Sequence, residues 1–291
     1  MARAKSKTDT RAIGLDVGLA FSRFLTGKEN LHYGLWQADW DVCAQNVGRA
    51  QEAYTAKLFE LLPEGEGLRL LDVGGGAGET AKKLVAMGHQ VEIVIPSAFL
   101  AERCRANAGP ETVVHECTFE AFKSDQQFDV VLFSESFQYI LMDQSLPKAL
   151  RMLAPGGSIL IADCFRTEAF FAATDEEAKV GGGHALSDYE AAIAALPVEV
   201  LSCEDITTAV APSVVVEQEL FNVLGHAVRR VDNGIAESHP FLRKALHRLV
   251  RVLFSKRRRM RMDQRLNQKT RSAESFCRYN TYLMTKLTPK T

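Results

Sequence analysis

Four glycines, Gly74, Gly75, Gly76 and Gly78, follow an apolar run, Leu70-Leu71-Asp72-Val73, whose one acid is Asp72. A backbone without side chains at that point turns sharply and admits a ligand to the amides that open the next helix. That helix begins near Glu79, with Ala81, Leu84 and Val85 at helical spacing. Strand, glycine loop and helix together point to a nucleoside-bearing cofactor. A dinucleotide fingerprint would put its third glycine where Glu79 stands, and a phosphate-cradling loop would continue Gly-Lys-Ser/Thr, which does not follow. A second cluster able to do chemistry is Ser134-Glu135-Ser136, directly after the apolar run Phe128 to Phe133. Open α/β sheets bind ligands beyond the carboxyl ends of their strands, so these side chains belong to a site. His32, Tyr33, Tyr139 and His184 are candidates for a general base or a substrate hydrogen bond, although packing is the commoner role of each residue type taken singly.

Asp72-x-Gly74-x-Gly76-x-Gly78, Phe128 to Ser136, and the turn and strand Leu153-Ala154-Pro155-Gly156-Gly157-Ser158-Ile159-Leu160-Ile161 stand in the order of three motifs of the class I S-adenosylmethionine-dependent methyltransferases, which the chain resembles. The segment Asn30-Leu31-His32-Tyr33-Gly34-Leu35-Trp36 is similar to the one ahead of the core in small-molecule methyltransferases of the tocopherol, sterol and cyclopropane-fatty-acid type. The resemblance implies S-adenosylmethionine as cofactor, with Asp72, Gly74, Gly75 and Gly76 around its methionine end and ribose. Tyr33 lies in a segment that closes over cofactor and substrate, and Ser134, Glu135 and Ser136 face the transferring methyl or the acceptor. His32, Tyr33, Trp36 and Trp40 fit equally well as residues packing the N-terminal helices onto the core. At two places the sequence departs from the family. The acid expected at the end of the second strand, for the ribose hydroxyls, is Ile95, with Ser97 nearby; the acid expected for the adenine amino group is Thr118, with Phe119 beside the ring. One neutral hydrogen bond is about half as strong as a charge-assisted one.

The elements that must position these residues read as an α/β fold. It is a doubly wound, seven-stranded, Rossmann-like sheet with an N-terminal helical lid and a helical insertion before the last strand. Residues 1–12 read as a disordered tail, 13–64 as the lid, 65–205 as the cofactor-binding core, 206–275 as the insertion and 276–291 as the last strand. Ser97 is placed to cap a helix, Ser187 with Glu190 forms a capping box, and Cys277 to Leu287 alternates as a strand. At 291 residues with a net charge of −1, the chain can bury a large core and has no global field of a nucleic-acid binder. Six widely spaced cysteines without a Cys-x-x-Cys pair suit a reducing cytoplasm, and no span or export signal is expected. The seven histidines show no ligand spacing, so no metal is expected.

Residues 242–265 are strongly basic, with Leu242, Leu246, Leu249, Leu253 and Met260 as an apolar stripe. Such a helix suits a solvated face, an anionic substrate, an acidic carrier protein or an anionic lipid surface. The function expected is methyl transfer to a small hydrophobic or aromatic metabolite. The alternative is a non-catalytic Rossmann-like binding module that acts through its cationic insertion.

Overall fold

The computed structural model describes residues 10–174, 177, 179–267 and 271–290. Of the tail expected at 1–12, residues 1–9 lie outside the described residues, and the chain is helical from Thr10. Apolar residues in continuous runs make strands that are buried on both faces, and the sheet is built from them. Its strands are β1 (Arg69–Val73), β2 (Gln90–Val94), β3 (Val113–His115), β4 (Phe128–Ser134), β5 (Leu153–Arg166), β6 (Val198–Asp205) and β7 (Asn280–Pro289). Their order is β3-β2-β1-β4-β5-β7-β6, parallel from β3 to β5, with β7 antiparallel to both β5 and β6.

Among the described residues the helices are α1 (Thr10–Thr26), α2 (Val47–Phe59), α3 (Glu79–Ala86), α4 (Ala98–Ala108), α5 (Met142–Met152), α6 (Glu168–Ala172), α7 (Leu186–Ala194), α8 (Thr207–Val210), α9 (Pro212–Ser238), α10 (Pro240–Leu253), α11 (Lys256–Asn267) and α12 (Ala273–Tyr279). The strand alternation divides the core in two. Leu70, Ile93, Val130 and Leu160 pack with α2, α3 and α4 on one face, and Leu71, Val131, Phe133 and Ile159 pack with α5 and α7 on the other. Among the described residues no helix is long and apolar enough to cross a membrane.

Two local expectations change and one holds. The Ser187–Glu190 capping box does not form: α7 starts two residues earlier, with Ala185 as its cap, because Ala185 is already held in a bridge to Arg166 at the end of β5. Cys277 and Tyr279 belong to α12, not to the last strand. Ser272 caps that helix by accepting from the Ser275 amide at 3.1 Å, and Phe276 anchors it in the core. Ser97 does cap α4, accepting from the Leu100 amide at 3.3 Å.

The basic stretch at 242–265 is not one helix. Phe254 is extended (φ −121°, ψ 130°), and Ser255 restarts the helix by accepting from the Arg258 amide at 3.3 Å. α10 buries none of its residues, and its stripe at Leu242, Leu246, Leu249 and Leu253 is 40–63% exposed. Asp232 ties it to α9 through Arg243 (2.6 Å) and His247 (2.8 Å). α11 instead turns back along α9. Gln218 donates to the Arg265 carbonyl at 3.0 Å, and Gly225 lies so close to Leu266 that an added Cβ would overlap the Leu266 carbonyl oxygen.

Gly225→Ala therefore reverses the usual helix rule. The gain of about 1 kcal/mol expected in an open helix is outweighed by overpacking that costs about 1–3 kcal/mol. A lower denaturation midpoint for Gly225→Ala, beside a raised one for Gly234→Ala, whose Cβ would meet nothing within 4 Å, is the expected result.

Candidate functional site

The loop after β1 is shaped by what lies against it. Gly74, Gly76 and Gly78 have positive φ (78°, 56° and 87°), and a Cβ at Gly74 would overlap Ser136, whose hydroxyl bonds the Val73 carbonyl. At Gly75 a Cβ would lie 2.7 Å from the Asp72 carboxylate and 2.9 Å from Ile93. The chain thus needs glycine here both for the turn and for close approach. Asp72 is buried, and its Oδ2 has no hydrogen-bond partner among the described residues. Burial raises its pKa from 3.8 to about 7.

These residues line a cavity of about 360 Å³ beyond the carboxyl ends of β1, β2 and β4. It gathers Asp72, Gly74, Gly75, Gly76, Ser97, Thr118, Phe119, Ser134, Glu135, Ser136, His32 and Tyr139 of the sequence candidates. Within it Ser97 and Thr118 are turn-capping hydroxyls, accepting from Leu100 and Ala121 amides, and Phe119 is packed edge-on against Phe133. Ile95 is buried on its wall where the usual acid would stand.

Sequence reasoning missed Asn30. Its side chain lines the same cavity, is 3% exposed, and leaves both Oδ1 and Nδ2 without a partner among the described residues. It was unreadable from spacing because it comes from the lid, forty-four residues ahead of Gly74, next to Glu29. Glu29 grips Arg103 through two bonds of 2.8 and 2.7 Å and accepts from Asn107 at 2.7 Å. Burial pushes the Glu29 carboxyl up, but those bonds and the Arg103 charge leave it lowered.

Beyond Asn30 the lid segment is fastened residue by residue. The His32 ring stacks on Tyr54 at 4.5 Å, with Nδ1 2.8 Å from the Tyr33 carbonyl; burial lowers its pKa to about 4, so it stays neutral. The Tyr33 amide donates to Glu135 Oε1 at 2.7 Å, and the Gly34 amide and Trp36 indole both donate to the Ser213 hydroxyl, at 3.0 and 2.9 Å. Trp36 is a packing residue, buried against Ala50 and Val216, while Arg49 sits 3.8 Å above the exposed side of Trp40.

Glu135 is the one non-glycine residue with positive φ (53°) among the described residues. Such backbones persist only where surroundings hold them. Here Oε1 also accepts from the Tyr282 hydroxyl at 2.9 Å, and Tyr282 links through Tyr54 (2.8 Å) to Ser134 (3.1 Å). Burial, the leading cause, raises the Glu135 pKa from 4.5 to about 8. Asp163, at the end of β5, is raised to about 7 by burial and accepts from the Gln138 amide and side chain at 3.0 Å each.

A second, larger cavity of about 960 Å³ shares Leu31, Glu135 and Tyr139 with the first. Tyr33 faces this one, with Tyr282, the Gly181–Gly183 loop and the inner side of α11. His184 reaches neither. Its Nε2 lies 3.1 and 2.9 Å from the carbonyls of Phe137 and Ile140, so it donates there and braces the turn after β4.

A parallel-to-antiparallel sheet in this strand order, with a glycine loop after its first strand and an acid after its fourth, is the arrangement of the Rossmann-like methyltransferase fold. Residues 71–161 match the family model described as a methyltransferase domain. An uncharacterized methyltransferase of Geobacillus kaustophilus is 28% identical over 137 residues, which are 45% of this chain and 64% of that protein. The chain therefore spans less than two thirds of that relative. Among solved structures, geranyl diphosphate C-methyltransferase from Streptomyces coelicolor superposes with a TM-score of 0.63 at 14% identity over 99% of both chains. A cyclopropane synthase of Mycobacterium tuberculosis gives 0.65 at 13% identity, over 98% of this chain and 99% of its own.

Proposed function

We propose that the protein transfers a methyl group from S-adenosylmethionine to a small molecule bound in the larger cavity. The observation that carries this reading is the pair of adjoining cavities, one floored by the glycine loop and Asp72, the other opening from it past Glu135. The smaller cavity fits the cofactor. It presents buried, unpartnered oxygens of opposite use: Asp72 Oδ2 for a cationic amine, and the Asn30 amide for hydroxyls that the missing acid at Ile95 would otherwise hold. Gly74, Gly75 and Gly76 would admit its amino-acid end and ribose, Ser97 would lie near the ribose, and Thr118 and Phe119 near the adenine. When bound, the cofactor supplies an electrophilic methyl carbon on a sulfonium.

What the chain does is exclude water, align the acceptor and, where the acceptor holds a proton, remove it. Ser134 and Ser136 line the smaller cavity on either side of Glu135, the carboxylate that faces both. Tyr33, Phe170, Tyr139 and Met262 on the larger cavity support an acceptor with a hydrophobic or aromatic part. The exposed stripe of α10 supports contact with an acidic carrier or an anionic lipid surface, and the six unpaired cysteines support a cytoplasmic setting.

Calorimetric titration with S-adenosylmethionine and its demethylated product tests the reading. Saturable, competing binding is expected, and Gly75→Val, which drives a side chain into Asp72 and Ile93, should lose at least about tenfold in affinity, roughly 1.4 kcal/mol. No uptake of either compound by the folded protein would leave the alternative, a binding module without cofactor.

A further inference from the structure

We propose that the acceptor carries a phosphate-class oxyanion, a phosphate or diphosphate ester, and that the larger cavity holds it with guanidinium groups from β5, α11 and the segment before α12. This rests on reading that cavity as the acceptor site.

The first ground is charge. Arg166, Arg258, Arg261, Arg265 and Arg271 line the cavity, together with Arg257 and Lys179, against three carboxylates, Glu135, Glu177 and Glu217. Of those five arginines only Arg271 has a carboxylate partner among the described residues, Glu217 at 2.8 Å. Arg258 and Arg265 lie over the Phe254 and Phe221 rings at 5.1 and 5.0 Å, which orients them without cancelling their charge. Glu177 is already engaged by the Tyr279 hydroxyl at 2.5 Å, and Lys179 by the carbonyls of Phe170 and Ala173 at 3.0 and 2.5 Å. The surplus is more than one positive charge. A single carboxylate on the acceptor would leave most of it uncompensated, whereas a phosphate or diphosphate ester matches it.

The second ground is geometry. Arg271 has a side chain only 11% exposed, and its Nη1 is buried with no partner among the described residues; Arg166 Nε is in the same condition. A buried N–H donor left without an acceptor costs about 1–3 kcal/mol, more when charged. Two such donors, on different elements that line one cavity, are left without an acceptor from the protein, and a small shift of either guanidinium would offer it to a ligand. Arginine rather than lysine supplies nearly all the charge, and its planar fork matches phosphate oxygens two at a time.

The third ground is construction. α11 is turned toward the cavity by the break at Phe254–Ser255 and pressed onto α9 at Gly225. An amphipathic helix merely solvated on its basic side would need neither feature. Arg257, Arg258, Arg261 and Arg265 of α11 line the cavity from exposed positions, and the break and the Gly225 contact set the direction of the helix that carries them.

The test uses the full chain saturated with the demethylated cofactor, titrated with inorganic pyrophosphate, inorganic phosphate and acetate at constant ionic strength. Pyrophosphate should bind at least tenfold more tightly than acetate. Arg261→Gln, at an exposed position that the fold does not need, and Arg166→Gln should each weaken pyrophosphate about tenfold while leaving cofactor affinity within twofold. A weaker response to phosphate than to pyrophosphate points to a diphosphate ester, and an equal one to a monophosphate. Acetate binding as tightly as pyrophosphate overturns the phosphate class, and pyrophosphate binding unaffected by both substitutions overturns the site. If cofactor binds but pyrophosphate does not, this inference fails and the methyltransferase reading stands. If pyrophosphate binds without any uptake of cofactor, the reverse holds.

Discussion

Without cofactor, the protein should lose stability as pH rises from about 5 to 8, and Asp72→Asn should restore part of what is lost. Asp72, Glu135 and Asp163 sit at the ends of β1, β4 and β5, and burial raises each pKa, to about 7, 8 and 7. A carboxyl whose folded pKa lies above its unfolded one keeps its proton more tightly when folded. Between the unfolded value near 4 and the folded value, the native state holds the extra proton, so stability falls as pH rises through that window and levels off above it. For Asp72 alone, moving from 3.8 to about 7 corresponds to roughly 4 kcal/mol at full ionisation. The neutral amide of Asp72→Asn avoids that cost. Its urea midpoint should exceed that of the wild type at pH 8 and converge on it only below about pH 4, while its cofactor affinity falls. A cationic amine against Oδ2 would also expel the proton from Asp72, so binding at pH 6 should release about one proton, read as a difference in heat between buffers of unlike ionisation enthalpy. Equal pH profiles for wild type and variant would show that Asp72 does not carry the strain assigned to it.

How much of this was visible in the sequence depends on the distance over which a signal acts. The glycine loop, Asp72 and Ser134 to Ser136 announced themselves because turn geometry and strand ends are local, and each lies in the smaller cavity. The strand runs were legible because parallel strands buried on both faces read as unbroken apolar stretches. His184 was a candidate beside the commoner packing role, and spacing could not choose between them because its partners are two carbonyls more than forty residues away. Asn30 was silent because an amide has no pattern until Glu29 and Arg103 set where it points. The basic run at 242–265 showed its charge but not its direction. The break at residue 254 and the packing at Gly225 decide that α10 faces outward and α11 faces the cavity, and neither is a periodic feature.

Glu135→Gln should lower kcat by about 10² to 10⁴, the range for a lost general base, and should remove a rise in rate centred near pH 8. The candidates read from sequence argue for Glu135 by elimination. Nε2 of His184 is committed as a donor to two carbonyls, and the Nδ1 of His32 is held by the Tyr33 carbonyl while its Nε2 turns to Thr55 at 3.4 Å. Burial pushes the Tyr33 phenol well above 10, so its phenolate is scarce at neutral pH, and Tyr139 is half exposed at the mouth. Glu135 faces both cavities, and its Oε1 is fixed by the Tyr33 amide and the Tyr282 hydroxyl. Glutamine at 135 can keep an oxygen for those two donors, so the fold and the positive φ survive while the ionisable group is gone. Because the folded pKa is raised to about 8, the working carboxylate fraction grows through that pH and the rate should follow it. Undiminished turnover by Glu135→Gln, with the same pH profile, would mean that the acceptor reaches the site already deprotonated and that the cavity's work is alignment alone.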